Sequence, residues 1–190
     1  MSIISAPLPD YVDSEGKRYG VRTDFRVWLR YYELIHSGLP MREKLSRIFH
    51  ACYIDEIPPK AELAMKALAK FYACVSDERE DNSSRRPKTA VRHFDFEADA
   101  GYIYAAFMSE YGINLQSARL HWWEFMNLFS SLGESCRFSK IVSYRMAKPE
   151  KIKNPEQKKF IQKMQRIYKL PDLRSLEEKE SGFADALWNL

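Results

Sequence analysis

From residue 23 onward, apolar residues recur at three- and four-residue steps, so the chain reads as a succession of amphipathic helices. Phe25, Trp28, Leu29, Tyr32 and Ile35 share one face of a first helix. Thr23 or Asp24 is placed to cap its first-turn amides, and Gly38 to stop it. Met41, Leu45, Ile48, Phe49 and Cys52 form the stripe of a second. Pro58-Pro59 breaks the chain and presets a third, whose inner face is Ala64, Ala67, Leu68, Phe71 and Val75.

Farther along, Asp95 can cap a helix running through Glu97 and Asp99 to Glu110, with Gly112 as its stop. Acidic residues in its first turn suit the positive end of the helix dipole. One side of that helix carries Ala100, Ile103 and Phe107, with Tyr104, Met108 and Tyr111 beside them. A further helix takes His121 to Phe129 and stops near Gly133. Another spans Arg137 to Met146 and buries Phe138, Ile141 and Val142. After Pro149 and Pro155, Phe160, Met164, Ile167 and Tyr168, with Ile161 adjacent, supply a last stripe. Ahead of all these, Tyr11-Val12-Asp13 and Lys17 to Val21 flank the turn formers Ser14-Glu15-Gly16, the pattern of a β-hairpin. The expected fold is therefore all-α, a compact multi-helix bundle with a short N-terminal β-hairpin.

Charge sets the boundaries. Ser76 to Arg92 has acidic and basic blocks around Asn82-Ser83-Ser84 and almost nothing apolar, the composition of a solvated linker. The chain thus divides into an N-terminal arm with the hairpin (1–22), an N-terminal helical part (23–75), the charged linker (76–92), a central helical part with a basic helix (93–170) and an acidic, then apolar, C-terminal tail (171–190). The two helical parts read equally as two domains or as two halves of one core.

Composition narrows the function classes. At 190 residues and 45% hydrophobic, the chain has material for a real core. Its apolar runs fall far short of the roughly 20 residues of a membrane helix, and no basic segment leads into an apolar stretch at the start. A soluble, cytoplasmic protein without a membrane partner is expected. Cys52, Cys74 and Cys136 are widely spaced in apolar contexts and read as small buried hydrophobes. His36, His50, His93 and His121 form no zinc-ligand pattern. No glycine-rich phosphate loop or nucleophile elbow is visible, so neither an enzyme nor a cofactor is expected.

Two segments invite a binding role. In Leu120-His121-Trp122-Trp123-Glu124-Phe125-Met126, adjacent tryptophans sit about 100° apart on a helix. One enters the core, and the other reaches a second element or serves as an anchor for a partner; Trp122, Trp123, Phe125 and Met126 are the contact candidates. Arg145 to Lys169 holds nine Lys or Arg and two acids, a local excess of seven positive charges against +4 for the whole chain. Lys158, Lys159, Lys163 and Arg166 there read as contacts to an acidic partner or phosphate, or as a solvated helix face. The absence of an aromatic, glycine-containing basic motif speaks against a specific RNA-binding module. In the tail, Phe183, Leu187 and Leu190 recur at i, i+4 and i+7, a hook for a partner groove or a segment that folds back.

The stretch Phe94 to Phe107, Tyr111-Gly112-Ile113-Asn114-Leu115, the Leu120–Phe125 segment, Phe138 to Arg145 and Thr23-Asp24-Phe25-Arg26 together resemble a family of small proteins from tailed phages and prophages of Gram-positive bacteria. Members of that family are encoded just before the tail tape-measure gene. The resemblance covers most of residues 7–170 and no part of the tail beyond Leu170. It implies a non-catalytic tail assembly chaperone that binds and solubilises the tape-measure protein and helps recruit tail-tube subunits. The place of action would be the cytoplasm of the infected or lysogenic host, with an oligomer allowed. A minor structural tail or connector protein retained in the virion is the alternative, and a nucleic-acid-binding accessory protein a third.

Overall fold

The computed structural model describes residues 6–75 and 92–171. The charged linker up to residue 91, the tail from residue 172 and the first five residues of the arm lie outside the described residues. Among those described there are seven α-helices and one antiparallel hairpin, so the protein is all-α with a short N-terminal β-hairpin. Its contacts divide it into two units. The first holds residues 6–75 together with Arg119–Asn127; the second holds 92–118 and 128–171. The short segment Arg119–Asn127 thus groups with the N-terminal helical part, from which the linker separates it in sequence.

In the first unit, β1 (Tyr11–Ser14) pairs with β2 (Lys17–Gly20). Ser14 pairs with Lys17, so the turn is the two residues Glu15 and Gly16. Both are left-handed (φ 51° and 77°), which the twist of a tight hairpin favours and glycine permits cheaply. The helices are α1 (Phe25–His36), α2 (Met41–Cys52) and α3 (Ala61–Tyr72), with α5 (Trp122–Ser130) beginning in this unit. Asp24, not Thr23, caps α1, its carboxylate accepting from the Arg26 amide at 2.9 Å.

The buried face of α1 is Phe25, Trp28, Tyr31 and Leu34, while Leu29, Tyr32 and Ile35 are half-buried. The helix is turned from its expected stripe because Tyr31 packs on Trp28 and Tyr72, drawing the aromatic line inward. In α2 the expected Ile48 and Cys52 are buried, joined by Lys44, whose ammonium donates to the Ile35 carbonyl at 2.8 Å in the last turn of α1. Ala64, Ala67, Leu68 and Phe71 line α3 as the periodicity predicts; Val75 lies past its end.

The second unit contains α4 (Ala100–Tyr111), α6 (Arg137–Met146) and α7 (Pro155–Ile167). The start of α4 differs from the sequence expectation. Asp95 caps a turn that precedes the helix, accepting from the amides of Glu97 and Ala98 at 3.0 and 2.7 Å, and no acid lies in the first helical turn. Gly112 closes α4 in the left-handed conformation expected of a C-terminal glycine (φ 66°). Phe138 and Ile141 of α6 are buried, as is Cys136, whose sulfur accepts from the Ser139 amide. Helix α7 opens as its sequence dictates, with Pro155 at its first position and the Asn154 side chain accepting from Glu156 and Gln157 amides.

Candidate functional site

The tandem tryptophans are explained inside the first unit. Backbone bonds from Phe25 N–H to the Leu120 carbonyl (3.1 Å) and from Trp122 N–H to the Thr23 carbonyl (2.7 Å) hold the starts of α1 and α5 side by side. From there the Trp122 indole donates to the Tyr72 carbonyl and the Trp123 indole to the Phe71 carbonyl, each at 2.9 Å. Phe71 and Tyr72 are the last two residues of α3; just past its end the Cys74 amide also donates to the Phe71 carbonyl at 3.0 Å, and the Cys74 thiol approaches the Tyr72 carbonyl at 3.8 Å. Two adjacent donors on one helix therefore satisfy two adjacent acceptors on another. Trp122 is fully enclosed (0% exposed), stacked on Tyr72, Phe125 and Trp28, and Phe125 is buried against Phe25. Trp123 and Met126 are half-buried.

His121 fixes this arrangement from its N-terminal side. Its Nδ1 accepts from the Trp123 amide at 3.0 Å, so its Nε2 carries the proton and donates to the Pro9 carbonyl at 2.9 Å. The ring acts as the N-cap of α5. Burial lowers its pKa from the ordinary value and so favours the neutral form the geometry requires, an effect the bond to Pro9 partly offsets.

In the second unit the polar centre is Asp99, buried at the start of α4. Arg145 of α6 grips it with both terminal nitrogens, at 2.6 and 2.9 Å. The same guanidinium donates to the carbonyls of Tyr168 (2.7 Å) and His93 (3.1 Å), while Asp99 also accepts from the Asp95 amide at 3.0 Å. A buried carboxylate held by a two-pronged Arg and a backbone amide is fully satisfied, the condition under which such a pair is tolerated. Arg145 was counted in the basic segment, but it faces inward, so the outward charge lies farther along, on Lys148, Lys151 and Lys153 and then on α7.

Helix α7 leans on α6 through Gln165, whose amide donates to the Tyr144 and Ala147 carbonyls at 3.0 and 2.8 Å and so satisfies the end of α6. Tyr168 stacks on Tyr144, and Phe160 meets the Tyr144 edge. No α7 residue is buried. Ile161, Met164 and Tyr168 are half-covered, but Phe160 and Ile167 keep 48% and 57% of their surface in water. At roughly 100° per residue these two project almost in line, two turns apart, with Lys163, Lys159 and Arg166 ranged along their solvent side. Those three cations are exposed and have no ion-pair partner among the described residues; Lys158 lies toward the packed side and is half-covered.

Residues 4–170 match the family described as Bacteriophage Gp15 protein. The chain belongs to that family. No curated protein and no solved structure matches it. The Gp15 match spans all seven helices and stops three residues past α7, so the exposed edge of α7 lies within the family region and the tail outside it.

Of the contact candidates, the structure brings Trp122, Trp123, Phe125 and Met126 to the start of α5 and Lys158, Lys159, Lys163 and Arg166 onto α7, in different units. Trp122 and Phe125 are enclosed, so a contact at α5 would fall to Trp123 and Met126. The exposure of Phe160 and Ile167 was not legible, because a stripe at helical spacing looks the same covered or uncovered. The Asp99–Arg145 pair was missed too; nothing in the sequence sets Asp99 apart from the neighbouring acids Asp95 and Glu97, or Arg145 from the other basic residues of α6. Cys52 and Cys136 are buried and Cys74 half-buried; burial pushes the Cys52 and Cys74 thiols up to about 12, which leaves them protonated and unreactive at neutral pH. Among the described residues no three or more His, Cys, Asp or Glu cluster so as to hold a metal ion, and no helix is long and apolar enough to cross a membrane.

Proposed function

We propose that this Gp15-family chain is a non-catalytic tail assembly chaperone that binds the phage tape-measure protein and keeps it soluble while a long tail is built in the host cytoplasm. The observation that carries the reading is the uncovered apolar edge of α7, bordered by exposed cations, on a chain from a bacteriophage family. A holding chaperone needs a stable helical scaffold, apolar surface to share with a helical client, and charge to remain dissolved while that surface is empty. Contacts fall to Lys159, Lys163 and Arg166 with Phe160 and Ile167, and to Lys158 at the margin. Trp123 and Met126 are the second candidate surface. Tail-tube subunits are a further expected partner.

The test is co-expression of the chain with the tape-measure protein of the same phage, compared with the tape-measure protein alone. The expected outcome is a soluble tape-measure protein that elutes with this chain at a defined ratio. An insoluble tape-measure protein with nothing co-purified removes the holding role and leaves the virion-component reading, for which mass spectrometry of purified particles would find the chain in fixed copy number.

A further inference from the structure

We propose that the Phe160–Ile167 edge of α7 docks an amphipathic helix whose apolar stripe is flanked by carboxylates. Three features of the surface point to that occupant. Phe160 and Ile167 stand seven residues apart, about 10 Å along the axis, which is the spacing of equivalent seam positions where two helices run side by side. Lys159, Lys163 and Arg166 form a row along one flank of that seam, so a helix lying on it meets positive charge along its whole contact length. Helix α7 carries four basic side chains and one acidic, Glu156, which sits at the far N-terminal end where it suits the helix dipole. Complementary charge beside an apolar seam selects which helix docks and in which register, while the seam supplies most of the affinity.

Other occupants fit less well. A bilayer surface engages a broad apolar face, whereas this helix has only two large apolar side chains substantially in water, its other apolar residues, Ile161 and Met164, being half-covered. A single nucleic-acid strand is held by aromatic rings that stack bases, and here the seam is half aliphatic. The docking surface stands on α7 itself; it rests on the chaperone reading only for the identity of the natural client, which would carry a segment of this acidic amphipathic kind.

The test uses the full chain and three synthetic 21-residue peptides. One is helical, with leucines at seam spacing and glutamates on the flanks; the second has lysines in place of the glutamates; the third has the composition of the first with its stripe scrambled. The acidic striped peptide should bind about tenfold or more tightly than either control. Phe160→Ser with Ile167→Ser should abolish the difference, with circular dichroism confirming that the fold is kept. Lys159→Glu, Lys163→Glu and Arg166→Glu together should transfer the preference to the basic peptide. Equal binding of all three peptides, or affinity unchanged by the serine pair, overturns the proposal. So does retention on anionic vesicles or on single-stranded DNA with no binding of the acidic striped peptide.

Co-expression of the serine pair with the tape-measure protein separates the two claims. Undiminished solubilisation by that variant would place the client elsewhere and end this inference while the chaperone reading stands. A wild-type chain that selects the acidic peptide but leaves the tape-measure protein insoluble would do the reverse.

Discussion

The start of α5 and the exposed edge of α7 are built from the same kinds of residue, large apolar side chains at helical spacing, and they end in opposite states. At α5 every polar atom that comes with the rings is matched: two indole donors meet two carbonyls at the end of α3, and the imidazole of His121 both accepts and donates. At α7 the polar matches lie on the packed side, through Gln165 and Tyr168, and the outward apolar pair faces water beside exposed cations. Hydrophobic spacing therefore identifies a stripe but not its cover. The cover is decided by whether donors and acceptors on neighbouring elements are placed to close over it.

The comparison breaks most clearly by substituting each side in turn. Trp122→Ala should remove the ring at the centre of the stack with Tyr72, Phe125 and Trp28 and leave the Tyr72 carbonyl only the weak Cys74 thiol as donor. The expected loss is about 3–5 kcal/mol, read by urea unfolding. A loss below about 1 kcal/mol would mean the indole is not enclosed, and the contrast with α7 would collapse.

Next in size is the polar centre of the second unit. Arg145→Met should cost about 3–5 kcal/mol, because it strands a buried carboxylate that has one other bond. Adding Asp99→Leu should recover much of that loss, since the stranded charge is removed with its partner. If Arg145→Met alone is nearly neutral, water reaches Asp99 and the pair is not an internal anchor.

Much of this architecture was legible beforehand because it rests on local rules. The break at Pro155, the stop at Gly112, a turn within Ser14-Glu15-Gly16 (which the structure narrows to Glu15-Gly16) and the limits of α6 follow from which residues tolerate or terminate a conformation, and such rules act within a few residues. What escaped depends on partners far along the chain. The rotation of α1 needed Tyr72, the association of Arg119–Asn127 with the N-terminal helices needed Thr23, and the inward turn of Arg145 needed Asp99, 46 residues away. The contact candidates show the same division. Periodicity placed Trp122 and Phe125 on a helix together with Trp123 and Met126, but only the ring stacks and the α3 carbonyls decide which of the four are enclosed.

A pH series sharpens the account of α5. Because burial lowers the His121 pKa from its ordinary 6.5, the unfolded chain binds more protons than the folded one between the folded pKa and about 6.5. Stability contributed by neutral His121 is therefore fully present above that window and is lost as pH falls through it. His121→Asn keeps a cap acceptor for the Trp123 amide but does not titrate. The wild-type chain should lose more stability than this variant between pH 7 and pH 5, and parallel curves would show that His121 is not the group responsible.

The smallest expected change in stability is at α7, and its smallness is the point of the comparison. Phe160 and Ile167 lie half in water, so Phe160→Ser with Ile167→Ser removes about half of the burial that two core side chains would contribute. At about 1.5–3 kcal/mol for full burial of each, the loss should stay at about 2 kcal/mol. The same pair of substitutions should eliminate the roughly tenfold preference for an acidic amphipathic helix while the chain stays folded. A residue pair whose removal ends partner selection while the fold is kept is what separates a docking edge from a core stripe. Should the serine pair destabilise the chain as strongly as Trp122→Ala, α7 would be a second core element, and its exposed cations would be a solvated helix face.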